Sequence, residues 1–243
     1  MRDYLLDIVK NTYGLGFIEL VKVVGTDSET AISALADDRS VIVEAKTNNP
    51  IPEFIGTFGM PNLGKLNTIL NIPEYKDNAK INLSTQERNG VDVPVGLNFE
   101  NSVGDFKNTY RFMSQEIVTD KLKTVKFKGV TWNVEFEPSV ANIQRLKFQS
   151  NANSDEKTFT AKTDGTDLKF FFGDHSSHAG NFVFQADITG SLTKEWSWPV
   201  SAVISILNLA GDKIIRISNE GAIKITVDTG LATYSYILPA HTN

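Results

Sequence analysis

Two stretches of this chain follow one pattern: PIPEFIGTFGMPNLGKLNTILNIPEYKDNAKINL at residues 50–83 and LTKEWSWPVSAVISILNLAGDKIIRISNEGAIKI at residues 192–225. In each stretch an aromatic strand leads through a proline into a short amphipathic helix, and a polar turn then leads into an alternating strand. The aromatic pairs are Phe54 with Phe58 and Trp196 with Trp198, and the prolines are Pro61 and Pro199. A supersecondary unit that occurs twice usually indicates two like domains. The pattern therefore predicts a symmetric framework, and it contains no obvious catalytic centre.

The composition is that of an ordinary globular chain, long enough for two domains of roughly 120 residues each. The 243 residues are 41% hydrophobic and 22% charged, and they include no cysteine. The lack of cysteine excludes disulfides, thiolate nucleophiles and cysteine-ligated zinc. The formal net charge of −5 argues against a general nucleic-acid coat, although a locally basic surface is compatible with it.

The sequence carries neither a membrane-spanning pattern nor a secretion signal. No apolar run approaches the roughly 18 residues that span a bilayer. The start, Met1–Tyr4, lacks the basic residues and the small-residue cleavage site of a signal peptide. We therefore expect the protein in the cytoplasm of the cell that makes it, which is the host cytoplasm if the protein is viral.

Hydrophobic periodicity predicts four helices among many strands. The helices are expected at residues 2–13, 61–71, 139–150 and 201–210. The alternating strands are expected at 17–24, 30–35, 40–46, 53–58, 79–85, 91–99, 107–113, 130–136, 157–162, 167–172, 181–188, 212–218, 222–228 and 231–238. This order predicts an α+β protein of two similar domains, each with antiparallel sheets and two helices.

Domain boundaries follow from where the periodicity is lost. Residues 115–128, QEIVTDKLKTVKFK, mix charges with isolated apolar residues. We therefore predict a first domain at 1–115, a connector at 116–128 and a second domain at 129–243. A hairpin turn is expected at Asn89–Gly90, a dipeptide that favours tight turns.

The predicted helices each bury one face. Pro61 is expected in the first turn of the second helix, where proline is tolerated. The expected buried residues are Leu63, Leu66 and Leu70 in the second helix, Val140, Ile143 and Leu146 in the third, and Val203, Ile204 and Leu207 in the fourth. The opposite faces are rich in Asn, Ser, Thr, Lys and Arg and carry few acids, with the exception of Asp3 and Asp7 in the first helix.

Two short motifs resemble catalytic or metal sites without completing them. Gly59–Leu66 nearly matches the phosphate-binding loop GxxxxGK[ST], but Leu66 stands where the hydroxyl residue is required. Asp174–His178 contains two histidines in a polar loop, yet spacing fixes no third metal ligand. A hydrolase that uses His175 or His178 is therefore a distant alternative, and a solvated loop is the favoured interpretation.

Four features of the chain resemble one known family. They are the two repeated units, the helix RDYLLDIVKNTYG before an alternating strand, EPSVANIQRLK at 137–147, and the ending YSYILPA at 234–240. Together they resemble the DNA sliding clamps, relatives of proliferating cell nuclear antigen, and most closely the phage clamps of the T-even type. EPSVANIQRLK is similar to the helix that opens the second clamp domain, and YSYILPA to the terminus that borders the clamp's partner-peptide pocket.

This resemblance implies a homotrimeric ring of six similar domains around duplex DNA. Such a ring tethers a DNA polymerase to its template, needs an ATP-driven clamp loader, and is neither an enzyme nor dependent on a cofactor or metal. The runner-up is a phage or virion structural protein built from duplicated β-rich domains. A trimer that retains DNA without regard to sequence would distinguish the first function from the second.

The resemblance also implies where DNA and partner proteins bind. A ring that slides must attract phosphates without reading bases, and the best candidates for its lining are Lys10, Lys65, Arg145 and Lys147. Weaker phosphate contacts are expected from Asn62, Asn142, Ser205 and Asn208. A partner peptide is expected in a pocket formed by Leu35, Val41, Ile117, Leu122, Tyr236, Leu238 and Pro239. The alternative is that the cations are ordinary surface residues and that the pocket residues are core and edge-strand positions.

Overall fold

The protein is described by a computed structural model that covers residues 1–88, 90–123, 127–174 and 178–241. Asn89 of the predicted hairpin turn and His175 of the histidine loop lie outside the described residues. The helices in the described ranges are α1 (Arg2–Asn11), α2 (Leu63–Leu70), α3 (Gln115–Lys121), α4 (Val140–Ala152) and α5 (Val200–Leu207). None of them is long and apolar enough to cross a membrane.

The strands alternate with these helices in two groups. The first group is β1 (Leu20–Gly25), β2 (Thr30–Leu35), β3 (Ile42–Thr47), β4 (Gly56–Pro61), β5 (Lys80–Arg88), β6 (Val91–Glu100) and β7 (Lys107–Arg111). The second is β8 (Val134–Phe136), β9 (Thr158–Asp164), β10 (Asp167–Phe172), β11 (Gly180–Gln185), β12 (Trp196–Pro199), β13 (Asp212–Ser218), β14 (Ala222–Asp228) and β15 (Ala232–Pro239).

The chain divides into two compact units. The first contains Met1–Lys126 with Thr229–Tyr234, and the second contains Phe127–Asp228 with Ser235–Asn243. Strand β15 therefore begins among the residues of the first unit and ends in the second. The predicted domain limits, with a connector at 116–128, remain a prediction.

Both units have the same order of elements. The first runs α1-β1-β2-β3-β4-α2-β5-β6-β7, and the second runs α4-β9-β10-β11-β12-α5-β13-β14-β15, with α3 and β8 as additions. The sheet order β4-β1-β2-β3 corresponds to β12-β9-β10-β11, and β5-β6-β7 corresponds to β13-β14-β15. The pairings within β4-β1-β2-β3 and β12-β9-β10-β11 are antiparallel. The predicted α+β fold with duplicated halves is confirmed.

The duplication extends to single hydrogen bonds. Gly59 in β4 forms a bridge with Met113, just after β7, through two backbone bonds of 2.9 and 2.8 Å. At the corresponding place Ser197 in β12 forms a bridge with His241, just after β15. In both units, therefore, the chain beyond the last strand returns to the edge strand that precedes the second helix.

Each unit packs its two main helices against one another, α1 with α2 and α4 with α5. Leu63, Leu66 and Leu70 of α2 are fully or almost fully buried, as predicted. Gly64 allows the close approach of the two helices, because a Cβ at this position would lie 3.1 Å from the Tyr13 ring.

The start of α2 differs from the prediction. Pro61 is the last residue of β4 and not a helical residue. Asn62 makes the change of direction with a left-handed backbone, φ 53°, and the helix begins at Leu63. Asparagine tolerates this conformation better than most residues. Since β4 leads into α2 through a single residue, no open loop is available to hold a phosphate, and the nucleotide-loop interpretation of Gly59–Leu66 fails here.

Helix α4 buries only part of the face predicted for it, and Ile143 is half-buried. Val140 is 76% exposed and Phe148 is 68% exposed, and Leu146 is the buried residue of this helix. Ser139 caps the helix by accepting a hydrogen bond from the Asn142 N–H at 3.1 Å, which places Val140 in the first turn. The helix lies against β11, and the hydrogen bond from the Asn142 side chain to Gln185 is one of the contacts between them, so hydrophobic periodicity marks its packing face only in part.

The segment predicted as an irregular connector begins with a helix, α3. Val118 of α3 is fully buried and packs over β4, where a Cβ on Gly59 would lie 2.7 Å from its Cγ2. The absence of a side chain at Gly59 creates the space for Val118. This contact joins residues far apart in sequence and leaves little periodic signal within seven residues. Residues 124–126 of the predicted connector lie outside the described part of the chain.

Candidate nucleic-acid interface

The helix pair of the first unit presents two cations and an amide. Lys10 on α1 and Lys65 on α2 are exposed, and so is Asn62 at the start of α2. Within residues 1–88, 90–123, 127–174 and 178–241, neither lysine forms an ion pair. Both lysines are thus exposed on the packed pair of helices α1 and α2.

The helix pair of the second unit presents the other candidates. Arg145 is exposed, and its guanidinium carbon lies 5.4 Å from the centre of the Phe182 ring. Lys147 and Ser205 are partly buried, and Asn208 is exposed. The Asn142 side chain donates to Gln185 Oε1 at 2.9 Å, so this amide is already engaged in holding α4 against β11.

The charge of the four paired helices is opposite in sign to that of the chain. Together α1, α2, α4 and α5 carry five Lys or Arg residues and two Asp residues, whereas the whole chain has 24 basic and 29 acidic residues. The rest of the chain is therefore more acidic than the average. This separation produces a surface that can attract phosphates although the net charge is negative.

Asp7, one of the two helix carboxylates, is used inside the first unit. Its Oδ2 accepts a hydrogen bond of 2.8 Å from the Tyr234 hydroxyl, and its Oδ1 accepts one of 3.1 Å from the Asn11 amide. Partial burial raises the pKa of Asp7, and the hydrogen bonds from Tyr234 and from Thr229 oppose this rise. The carboxylate thus ties α1 to the segment Thr229–Tyr234.

The predicted partner pocket is only partly brought together. Leu35 and Leu122 line one cavity of about 370 Å³, with Glu19, Pro61 and Met113 among its other walls. Tyr110 braces this wall, because its hydroxyl donates to the Pro61 carbonyl. Burial, followed by the nearby Glu19 carboxylate, raises the pKa of Tyr110 well above its usual range, so the phenol keeps its donated proton.

The other predicted pocket residues are placed elsewhere. Val41, Tyr236 and Leu238 have no exposed surface, so they are core residues and present nothing that a peptide could contact. This corrects the prediction, which rested on the resemblance to clamps; the three side chains point inward in or beside strands. Ile117 and Pro239 are exposed, but neither lines the cavity that contains Leu35 and Leu122.

Sequence reasoning missed two strand edges that have apolar neighbours. Strand β7 is at one end of its sheet and β11 at the end of another. Val103 and Phe106, just before β7, are exposed, as is Phe148 on the helix that covers β11. The signal available was Phe148 itself, a large apolar residue that does not fit the predicted buried stripe of its helix.

No cluster of three potential metal ligands from His, Asp and Glu occurs within residues 1–88, 90–123, 127–174 and 178–241. Of the Asp174–His178 loop, only Asp174 and His178 belong to these ranges.

The comparisons with known proteins depend entirely on the fold. No family model and no curated protein matches the sequence. Among solved structures, PCNA from Thermococcus kodakaraensis superposes with a TM-score of 0.70 and 12% identity, over 99% of this chain and 97% of that chain. The chain has the fold of PCNA.

Two further PCNA structures give the same result. PCNA from A. fulgidus, in a structure with the C-terminal region of FEN-1, has a TM-score of 0.72 and 10% identity over 100% of this chain and 97% of that chain. PCNA from Entamoeba histolytica has a TM-score of 0.65 and 12% identity over 97% and 94%. At these identities the likeness to PCNA concerns the fold, and the roles of single residues are not transferred by it.

Proposed function

We propose that this chain is a DNA sliding clamp, a closed homotrimer that encircles duplex DNA and tethers the replicative polymerase. The observation that carries the proposal is the duplicated unit, in which each copy pairs a cation-bearing set of helices with sheets that end in free edges. Three chains would contribute six such units and twelve paired helices. The protein would act topologically, as a scaffold and not as an enzyme, and an ATP-dependent loader would open the ring.

The charges favour sequence-blind binding to duplex DNA. Lys10, Lys65 and Arg145 are exposed on helices, and α2, α4 and α5 contain no carboxylate. Side chains on a helix face that meet phosphates position a protein on DNA, whereas only contacts to base edges specify sequence. A lining with few cations and several amides suits a ring that must hold DNA and still move along it.

The strand edges provide a way to close the ring. Strand β11 is the counterpart of β3, and in the first unit the end of β3 is already occupied: the backbone and side-chain N–H groups of Asn48 donate to Leu231 and Gly230, each at 2.9 Å. We expect β7 of the next copy to take the equivalent place beside β11. Such pairing would also cover Phe106 and Phe148, which are otherwise exposed apolar side chains.

The cavity that contains Leu35 and Leu122 is the proposed site for a partner peptide. It has one apolar wall and a rim that carries Glu19, Arg39 and Lys121, which is the composition of a site that anchors an apolar side chain and orients polar flanks. The A. fulgidus PCNA structure contains the C-terminal region of FEN-1, which supports a peptide as the type of ligand. The polymerase is expected to dock through such a segment.

Two measurements test this function. The mass in solution should be that of a trimer of the 26.9 kDa chain, and the loaded protein should remain on nicked circular DNA but leave linear DNA through its ends. The triple variant Lys65→Glu, Arg145→Glu, Lys147→Glu should reduce loading on primed DNA at least ~10-fold while it leaves the trimer intact.

A matched control uses cations away from the paired helices. The variant Lys46→Glu, Lys80→Glu, Lys123→Glu changes the same net charge at exposed ion-paired positions and should load far better than the helix variant. Equal loss in both variants would show that only net charge matters and would contradict the assigned surface. A trimer that binds neither circular nor linear DNA would favour the structural-protein alternative.

A further inference from the structure

The first unit has a longer hairpin than the second, and this difference creates a slot. Strands β5 and β6 pair from Lys80–Glu100 to Arg88–Val91, but β7 accompanies β6 only from Gly96 to Glu100. The hairpin of β13 and β14 is shorter, seven residues in each strand, and ends at the Ser218–Ala222 pair. The first half of β6 therefore pairs with β5 on one side but has no β7 partner on the other, and we call it the projecting half of β6.

Three segments of the first unit enclose the slot. They are residues 55–57 at the start of β4, residues 91–95 in the projecting half of β6, and residues 114–116 at the start of α3. The enclosed volume is about 370 Å³, within the range of roughly 300–1,000 Å³ typical of ligand pockets. Its apolar rim is exposed, with Val91 at 62% and Ile55 at 43%.

Backbone groups face this slot from strand edges. Strand β4 pairs with β1 on one side, and on its other side the bridge to Met113 occurs at Gly59, beyond the slot. The last hydrogen bond on the open side of β6 runs from Phe112 N–H to Val95 O at 2.9 Å. Pro94 has no N–H and is buried near Gly56 of β4. In the described residues no strand continues along Val91–Val93, so an extended segment could add to this shorter edge as another strand.

The charges at the slot select the kind of segment. Its lining contains the carboxylates of Asp92 and Glu116 and the single guanidinium of Arg88. The pKa of Glu116 is held below its ordinary value because its own backbone N–H and Ser114 donate to it, which favours its charged form. The rim is thus apolar and slightly acidic, and it complements a segment that alternates apolar and basic residues.

We propose that this slot binds an extended, apolar and basic segment of a partner protein by strand addition to the projecting half of β6. The site is separate from the Leu35–Leu122 cavity, since the two sets of lining residues do not overlap. The proposal goes beyond the clamp function and does not depend on it, because every residue involved belongs to the first unit.

The test uses two fluorescent peptides, TVKVTVKG and its acidic counterpart TVEVTVEG, and the full-length protein. Fluorescence anisotropy should show binding of the basic peptide at least ~10-fold tighter than that of the acidic peptide. Val91→Lys should weaken the basic peptide by at least ~10-fold. The matched control Val103→Lys changes another exposed valine, 76% exposed and outside the slot, and should change binding less than about 2-fold.

Charge reversal and amide exchange locate the peptide. The double variant Asp92→Lys, Glu116→Lys should reverse the preference in favour of the acidic peptide. Bound basic peptide should slow amide exchange at residues 91–95 of the wild-type protein, and circular dichroism should confirm that all variants are folded. Equal effects of Val91→Lys and Val103→Lys, or protection elsewhere, would overturn the proposal. Self-association that Val91→Lys abolishes and Val103→Lys does not would also overturn it, by making a second copy the occupant.

Discussion

The two units share an order of nine elements but differ in what surrounds it. The first unit has the long β5–β6 hairpin and α3, whereas the second has β8 and a 13-residue α4. The shared parts are the helix pair and the two sheets, which are the parts needed for a repeated surface and repeated edges. The additions of the first unit border the slot. We therefore assign the elements common to both units to ring assembly and DNA binding, and the additional elements of the first unit to the binding of individual partners.

The two units also differ where the chain returns after its last strand. In the first unit Gly59 meets Met113 beneath Val118 of α3, and in the second Ser197 meets His241. Ser197 has room for a side chain, and its hydroxyl lies 2.8 Å from that of Thr160. The closest contacts of a Cβ at the first position would be with Val118 of α3, and the next would be with Met113, so α3 is the main reason for the glycine. The bridge after the last strand is thus common to both units, whereas the requirement for a small residue at Gly59 is specific to the first unit, which has α3.

The largest expected effect concerns the shared core. Leu70 and Leu207 are the last residues of α2 and α5, and both are buried. Changing either to Ala removes buried methyl groups and leaves a cavity, so each should lower the free energy of unfolding by about 2–5 kcal/mol. Urea unfolding of the two variants checks this. If one of the two variants had nearly the free energy of unfolding of the wild type, α2 and α5 would not contribute equally to the stability of their units.

The next effect concerns the proposed ring. Phe148→Asp places a charge at the edge of the second unit, where we expect the next copy to cover it, and should weaken assembly by about 100-fold, or about 2.8 kcal/mol. Sedimentation or light scattering at micromolar concentration would then show monomers. Val91→Lys serves as the control, because it should abolish peptide binding at the slot and keep the trimer. A trimer that survives Phe148→Asp unchanged would remove this residue from the interface.

A smaller effect should distinguish the two return points. Gly59→Ala introduces a Cβ 2.7 Å from Val118 Cγ2 and should cost about 1–3 kcal/mol through overpacking. Ser197→Ala removes one hydroxyl pair and should cost about 0.5–1.5 kcal/mol. Combining Gly59→Ala with Val118→Ala should recover part of the loss, measured as the change in urea midpoint. Failure of this rescue would mean that α3 does not impose the glycine.

The smallest effect is a pH dependence confined to the first unit. Because the pKa of Asp7 is raised in the folded protein, folding favours its protonated form, and the wild type loses stability as the pH rises from about 3.9 through the folded pKa. Relative to Asp7→Asn, the wild type should therefore gain stability on acidification from pH 7 to pH 4, by on the order of 0.5 kcal/mol for a half-exposed carboxylate. Melting temperatures at both pH values check this, and a gap that does not change would contradict it.

The sequence predicted much of the fold because its main elements have strong local signals. The apolar stripe of α2, the alternating strands and the repeated strand–helix–strand unit are all visible in short windows. Helix α3 was missed because a single residue, Val118, is buried there, and its partner Gly59 is distant in the sequence. Val140 was predicted to be buried because an apolar residue at helical spacing was assumed to face the core, yet it is exposed in the first turn, and the Asn142 amide helps to hold α4 against β11.

The candidate site was predictable in its charges and less so in its pocket. Lys10, Lys65 and Arg145 are exposed on helices as expected, since long cations rarely lie in a core. The resemblance placed Val41, Tyr236 and Leu238 in the pocket by their positions in the sequence, and position does not tell whether a residue faces the core, where all three lie. Leu35 and Leu122 are 87 positions apart in the sequence, and only folding brings them to one cavity.

The sequence by itself determined the duplicated α+β order, the near absence of acids from three of the paired helices, and the lack of cysteine chemistry. These properties are local or compositional, so they are readable without coordinates. Tertiary structure alone decided which apolar residues stay exposed, which strand edges remain unpaired, and how far β5 and β6 extend beyond the end of β7. Such features depend on whether segments distant in sequence come into contact, and hydrophobic periodicity within one segment does not predict these contacts.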